Sequence, residues 1–414
     1  MVCDAGFALQ HDMELRDYQK LAIEKIRWAL DKKLEGNNLI VLPTGSGKSI
    51  VIAHLVQQLR EPVLILQPTK EILEQNLEKL LRYVDRSEIG IFSASMNDKT
   101  VGTYTFATIQ SIYKKPELFA RFRLVILDEA HLLNPKNLSG MFTSFLRKIG
   151  NPKVVGLTAT PYRLDTMYVT RDDGDLEIVT TTRLINRTKQ FFWQRVLLNV
   201  TIADLIERGY LCPLEYVDRS IVRQEDLKLN KSRSDFDLDA YEEITSERQH
   251  EMLNAIAYGM ERAKSVLVFC SSVAQARRFA GIINGAKSVS AMTPAKERDR
   301  IVSAFKTGEI KVVCNVGVLT TGFDHPALDC VVLLRPTRSI ALYSQMIGRG
   351  VRTAEGKTSC LVVDCTSTVQ NLGRIETIKM VKREKWELES ETGSWHNTEL
   401  FRFTVHRGTQ KAML

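Results

Sequence analysis

Short apolar, β-branched runs punctuate the chain at strand length and alternate with segments whose apolar residues recur at helical spacing. In the first half the strand-like runs are Asn38–Leu42, Pro62–Gln67, Tyr104–Thr108, Leu124–Asp128 and Lys153–Ala159, with helical patterns near Ile50–Leu59, Glu71–Arg82 and Met141–Ile149. The scheme returns with Ser265–Cys270, Lys311–Val316, Cys330–Leu334 and Ser359–Asp364, interleaved with helices near Ala274–Ile283, Ala295–Phe305 and Ile340–Ile347. Continuously apolar strands separated by helices predict a parallel sheet covered on both faces, so the pattern predicts two doubly wound α/β lobes in tandem. Between them the alternation fails. Met167–Thr182 reads as two strands around an Asp172-Asp173-Gly174-Asp175 turn, and Leu227–Glu243 reads as a charged, exposed connector. The expected division is a first lobe over 12–163, an insertion over 164–247, a second lobe over 248–370 and a short C-terminal extension over 371–414.

Length and composition agree. The 414 residues fit two to three domains, and 44% hydrophobic with 26% charged residues excludes a largely disordered chain. The longest apolar runs are strand-sized, so no membrane partner is expected, and the acidic residues among the first thirty exclude a signal-peptide pattern. A cytoplasmic location is the expectation. The balance of 57 Lys and Arg against 49 Asp and Glu, a net +8, suits a polyanionic partner. The seven cysteines are scattered without a Cys-x-x-Cys, which argues against a disulfide framework or a zinc site.

The chemistry begins at Pro43-Thr44-Gly45-Ser46-Gly47-Lys48-Ser49, directly after a strand and before a helix. Glycines let backbone N–H groups converge on a phosphate, and the helix N-terminus adds a favourable dipole. Lys48 would reach the β- and γ-phosphates and the Ser49 hydroxyl would ligate Mg²⁺, although Leu42 stands where the strict phosphate-loop pattern has its first glycine. Downstream, the strand Leu124–Leu127 runs into Asp128-Glu129-Ala130-His131. Asp128 would hold Mg²⁺ through its water shell, and Glu129 would orient and deprotonate an attacking water. ATP and Mg²⁺ are the expected cofactors.

With Asp-Glu-Ala-His following Pro-Thr-Gly-Ser-Gly-Lys-Ser, the chain resembles superfamily 2 helicases and translocases of the DEAH-box type, which implies two RecA-like lobes. Further segments follow in that family's order. Leu15-Arg16-Asp17-Tyr18-Gln19 resembles the glutamine motif, with Arg16 and Gln19 at the nucleotide and Gln19 reading the adenine edge. Gln67-Pro68-Thr69-Lys70-Glu71-Ile72-Leu73 resembles motif Ia, Phe106-Ala107-Thr108-Ile109-Gln110-Ser111 motif Ib, and Thr158-Ala159-Thr160-Pro161 motif III. Val268-Phe269-Cys270 lies where motif IV belongs, and Leu319-Thr320-Thr321-Gly322-Phe323-Asp324 resembles motif V. Gln345-Met346-Ile347-Gly348-Arg349-Gly350-Val351-Arg352 matches motif VI.

The resemblance implies catalytic roles for Lys48, Asp128, Glu129, Gln345, Arg349 and Arg352. The two arginines would form a finger pair, with Arg352 nearer the γ-phosphate. It implies nucleotide contacts from Gly322 and Asp324, and nucleic-acid contacts from Pro68, Thr69, Lys70, Thr108, Gln110, Thr320 and Thr321. His131, Thr158 and Thr160 would couple hydrolysis to lobe movement. The helical run Ile340–Gly348 would set Gln345, Arg349 and Arg352 on adjacent turns of one face.

Within the superfamily, Gly156–Leu164, Gly209-Tyr-Leu-Cys-Pro213, Val318–Asp324 and Leu334-Arg-Pro-Thr337 resemble the bacterial RadD-type DNA-repair helicases, whose cysteine-rich zinc-binding tail is not matched before Leu414. The partner implied is DNA, single-stranded or forked, with RNA or a motor role in a restriction or defence complex as the alternatives. The Asp172–Asp175 turn reads as a variable surface insertion or a strand-separating pin. The tail, with Trp386, Trp395 and the basic cluster Lys379–Lys385, reads as a helix docked on the second lobe or as a base-stacking surface.

Overall fold

The computed structural model describes residues 14–134, 137, 139–170, 176–185, 192–232, 234–320, 322–382 and 386–392. The first lobe runs α1 (Asp17–Asp31), β1 (Asn37–Val41), α2 (Lys48–Gln58), β2 (Val63–Gln67), α3 (Lys70–Leu80), β3 (Ile89–Ser93) and β4 (Asp98–Lys99). It continues with β5 (Tyr104–Thr108), α4 (Ile109–Ile112), β6 (Leu124–Leu127), α5 (Met141–Lys148) and β7 (Lys153–Thr158). A hairpin of β8 (Tyr162–Thr170) and β9 (Leu176–Leu184) then leads to β10 (Trp193–Asn199), α6 (Ile202–Glu207) and β11 (Leu214–Asp218). The second lobe follows as α7 (Leu238–Thr245), α8 (Gln249–Arg262), β12 (Val266–Phe269), α9 (Val273–Ile282), β13 (Lys287–Val289) and α10 (Ala295–Thr307). After these come β14 (Val312–Asn315), β15 (Cys330–Leu333), α11 (Ile340–Ile347), β16 (Cys360–Asp364), α12 (Thr368–Leu372), β17 (Lys379–Lys382) and β18 (Trp386–Glu389).

Two sheets result. The first has the order β10-β1-β7-β6-β2-β5-β3-β4 and is parallel except for β4; the second, β11-β16-β15-β12-β14-β13, is parallel throughout. Central strands such as β2 and β6 are buried along their whole length, as expected where helices cover both faces. The two α/β lobes predicted from the hydrophobic pattern are present.

The segment expected as an insertion is partly otherwise. β10 adds to the first sheet beside β1, and β11 adds to the second beside β16, so 164–247 contributes an edge strand to each lobe. Both edge strands are only half-buried and lack the continuous apolar run that marks the central ones. Trp193 is the exception: it is fully buried, against Gly156 of β7. The connector Leu227–Glu243 is not simply exposed, because Leu227, Phe236 and Tyr241 enter the second lobe's core and Asp235 and Glu242 accept hydrogen bonds from Thr337, Arg338 and Ser271 of that lobe. β8 and β9 pair antiparallel as expected, and their turn residues 171–175 lie outside the described residues. The tail also departs from expectation: Lys379–Lys382 and Trp386–Glu389 form an antiparallel pair, not a helix, and the second of them alternates apolar with polar residues. Trp395 and residues 383–385 lie outside the described residues.

Candidate nucleotide and nucleic-acid site

Most of the motifs converge because they follow the C-terminal ends of parallel strands, where an open α/β sheet gathers its functional loops, while the glutamine motif opens α1 and motif VI runs off the end of α11. Past β1, Gly45 and Gly47 take left-handed backbone angles (φ 82° and 80°), and α2 opens at Lys48. The Ser46 hydroxyl donates to the Pro43 carbonyl at 2.6 Å and tightens the loop. Tyr18 Oη and Gln19 Nε2 both donate to the Ser46 carbonyl, at 2.7 and 2.8 Å, while Gln19 Oε1 accepts from the Arg16 N–H at 3.0 Å. Gln19, expected to read the base edge, therefore has its amide committed to bracing the loop.

At the end of β6, Asp128 is buried. Burial, reinforced by neighbouring Glu129, pushes its carboxyl up to about 6, against the pull of Lys48 and of Asn76, which donates from Nδ2 at 2.9 Å. Glu129 adopts φ 49°, which swings its carboxylate back to 4.0 Å from Lys48 Nζ and 3.3 Å from His131 Nδ1. His131 Nδ1 also meets Thr158 Oγ1 at 2.9 Å and Thr160 Oγ1 at 3.2 Å. The expected coupling residues thus form one connected group between the acidic pair and the end of β7.

The second lobe approaches through Gly348 and Arg352. A Cβ at Gly348 would lie 2.7 Å from Thr44 Cβ, so only glycine lets the segment sit on the phosphate loop. A Cβ at Gly45 would lie 3.3 Å from Arg352 Cγ, and Arg352 is ion-paired with Asp324. Burial lowers the Arg352 guanidinium to about 10, which leaves it charged at neutral pH. Gly45, Arg352 and Asp324 line a cavity of about 260 Å³ that also reaches Arg16, Gln19 and Ser49.

Several expected placements need correction. α11 ends at Ile347, so Arg349 and Arg352 lie beyond it and do not share a helical face with Gln345. Arg349 is buried and donates from Nη1 to the Phe323 carbonyl at 2.7 Å and from Nε to the Gln345 carbonyl at 3.2 Å, which anchors the motif V loop within its own lobe. Gly322 lies against Glu71 and Ile72 of α3 and its carbonyl accepts from Gln75, so it faces α3 and not the cavity. Thr108 and Thr320 are buried as residues, and Thr108 Oγ1 pairs with Ser111 Oγ at 2.8 Å. Pro68, Thr69 and Lys70 are half-buried and Gln110 is exposed, at the ends of the neighbouring strands β2 and β5. Thr69 caps α3 by accepting from the Ile72 N–H at 3.4 Å, and Lys70 pairs with Glu74. Thr321 lies outside the described residues.

Two contributors escaped the sequence reading. Asn76 interrupts the apolar stripe Ile72, Leu73, Leu77, Leu80 of α3, and a lone polar residue on such a face is the signal that would have found it. Tyr210, beside the cavity, follows a glycine just past a helix end.

Family models match both lobes: "Type III restriction enzyme, res subunit" over residues 12–163 and "Helicase conserved C-terminal domain" over 248–354. IRC3 of Saccharomyces cerevisiae, named as an ATP-dependent helicase, is 27% identical over 84% of this chain and 51% of its own length. The DNA 3'-5' translocase XPB2 of Sulfurisphaera tokodaii is 26% identical over 83% of this chain and 80% of its own. The chain thus spans about half of the yeast relative. Among solved structures, the ATP-dependent Type ISP restriction-modification enzyme LlaBIII bound to DNA superposes with a TM-score of 0.61 at 17% identity, covering 86% of this chain and 28% of that one. The first lobe thus matches a restriction-subunit model and the second a helicase model, and relatives named as a helicase and a translocase align across both, so the chain carries the tandem lobes of superfamily 2 helicases.

Proposed function

We propose that the chain is an ATP-driven motor of the DEAH-box type that moves along or remodels DNA. The contact of the second lobe's Arg352 with the first lobe's phosphate loop at Gly45 is the observation that carries this reading. ATP in the cavity would be gripped by Lys48 and the loop amides on one side and by Arg352 on the other, favouring closure. Loss of the γ-phosphate would remove that bridge and let the lobes part, so that each grips the strand in turn. Ser49 and Asp128 are hard oxygen donors of the type Mg²⁺ takes, and Asp128, buried and pushed towards protonation, has the character of a carboxylate made for a cation. Bound there, Mg²⁺ would neutralise charge on the phosphates. Glu129, whose buried Oε2 lies 3.3 Å from His131 Nδ1, would accept the proton of the attacking water. His131 with Thr158 and Thr160 would pass the change at Glu129 to the end of β7.

Pro68, Thr69, Lys70 and Gln110 would touch strand phosphates, giving grip without sequence preference and a steep salt dependence. DNA as the track is supported by the RadD-type segments and by the translocase name of XPB2. A role in repair, recombination or replication, in a cytoplasm, belongs to the same reading. The restriction-subunit match of the first lobe favours a second reading, a motor subunit of a restriction complex.

Steady-state ATP hydrolysis with no polymer, single-stranded DNA, forked DNA, duplex DNA and RNA tests this. Stimulation by single-stranded or forked DNA is expected, with a loss of about a hundred-fold or more in Lys48→Ala. Stimulation by RNA alone would replace the DNA reading, and activity that no polymer raises would point to the complex-subunit reading.

A further inference from the structure

One wall of the cavity comes from none of the motifs. α6 ends at Glu207, Gly209 takes φ 70°, and the amides of Tyr210 and Leu211 both fold back onto the Leu205 carbonyl, at 2.8 and 3.0 Å. This turn sets the half-buried Tyr210 ring against the start of α1. It meets the Tyr18 ring edge-on with centroids 5.4 Å apart, and the guanidinium of Arg16 lies over its face at 4.9 Å. Arg16 Nη1 also donates to the Tyr210 carbonyl at 3.1 Å, and Arg208 is ion-paired with Asp17. Leu211 packs at Gly45, and the Cys212 N–H donates to the Val351 carbonyl at 2.8 Å, one residue before Arg352. Residues 208–212 therefore form a strap that touches the glutamine motif, the phosphate loop and the arginine-bearing segment together.

The phosphate loop fixes one end of a nucleotide, so the base must lie towards the end of the cavity lined by Arg16, Gln19 and Tyr210. Gln19 has its amide occupied by Ser46 and Arg16. What remains for a flat purine is the Tyr210 ring with the two guanidiniums over it, Arg16 at 4.9 Å and Arg208 at 5.2 Å, so a base would stack by displacing one of them or by lying on the outer face of the Arg16 plane. We propose that Tyr210, paired with Arg16, stacks the nucleotide base, and that the strap ties base occupancy to the position of Arg352 through the Cys212–Val351 bond. This rests on the ATP reading above.

The test compares ATP with inorganic tripolyphosphate, which has the phosphates and no base. In Tyr210→Ala the KM for ATP is expected to rise about ten-fold while the tripolyphosphate inhibition constant stays within about two-fold. Tyr210→Phe should behave as wild type. Tyr210→Leu, which keeps apolar bulk without a π face, should follow Tyr210→Ala in KM at the wild-type melting temperature. An unchanged ATP KM in Tyr210→Ala and Tyr210→Leu would overturn the proposal, as would a parallel rise for ATP and tripolyphosphate, the mark of a distorted phosphate loop. Wild-type protein that binds neither ATP nor tripolyphosphate would instead remove the ATP reading and the proposal with it.

Discussion

The two lobes share an architecture and hold their working residues in opposite ways. In the first lobe they are wired to one another: Gln19 and Tyr18 to the phosphate loop, Asn76 to Asp128, and His131 to Thr158 and Thr160. In the second lobe they are tied mainly to their own backbone, as Arg349 is to the Phe323 and Gln345 carbonyls, while Arg352, Gly348 and Gly322 approach the first lobe. Among the described residues few other side-chain bonds join the lobes; Tyr162 Oη meets Ser344 Oγ at 3.3 Å, and Arg298 meets Glu71 at 3.5 Å. One lobe is thus a preassembled site and the other a movable piece that completes it. A small set of contacts suits parts that must separate each cycle.

The largest test of that contrast is Arg352→Ala. If Arg352 completes the site, kcat should fall by about 10³-fold with the melting temperature little changed. Arg349→Met should do the reverse. Leaving the Phe323 carbonyl without its buried partner costs about 1–3 kcal/mol and lowers the melting temperature by several degrees, with a smaller loss of kcat. A stable Arg349→Met protein with kcat down as far as in Arg352→Ala would restore the finger pair and erase the distinction.

The smallest effect concerns pH. Burial, with help from Lys306 and Lys357, lowers His325 from its ordinary 6.5 to about 4, and its ring meets Ser265 Oγ at 2.9 Å. Below pH 6.5 the unfolded chain takes up a proton that the folded one refuses, so this contribution to stability is complete above pH 6.5 and is lost as pH falls towards 4. Thermal melts across that window should show a shallower decline for His325→Gln than for wild type. Identical slopes would show that His325 does not set the second lobe's acid sensitivity.

Much of this was legible in the sequence wherever a residue's job is local. The central strands and the phosphate loop follow from runs of apolar residues and from glycine spacing, and their observed limits differ from the reading by a residue or so. The edge strands β10 and β11 were not legible, because a half-buried strand carries no continuous apolar run and its identity depends on the neighbour it pairs with. The site divides in the same way. Arg349 and Arg352 sit three residues apart in one motif, yet their partners differ: Arg349 holds the Phe323 and Gln345 carbonyls and feels the charge of Glu129 across the cleft, while Arg352 pairs with Asp324 and lies against Gly45. Gln19 shows the same limit, since its type and position were readable and its partner, the Ser46 carbonyl, was not.

The edge strands also have a mechanical consequence. Because β10 lies parallel to β1 and β11 parallel to β16, the link between the lobes is sewn into each sheet along a ladder of backbone bonds. A pull that drags the lobes apart along those strands loads the rungs of each ladder together in shear, where a pull at right angles would open them one at a time. The connection therefore acts as a tendon with broad insertions, able to carry recoil from one lobe to the other with little slack.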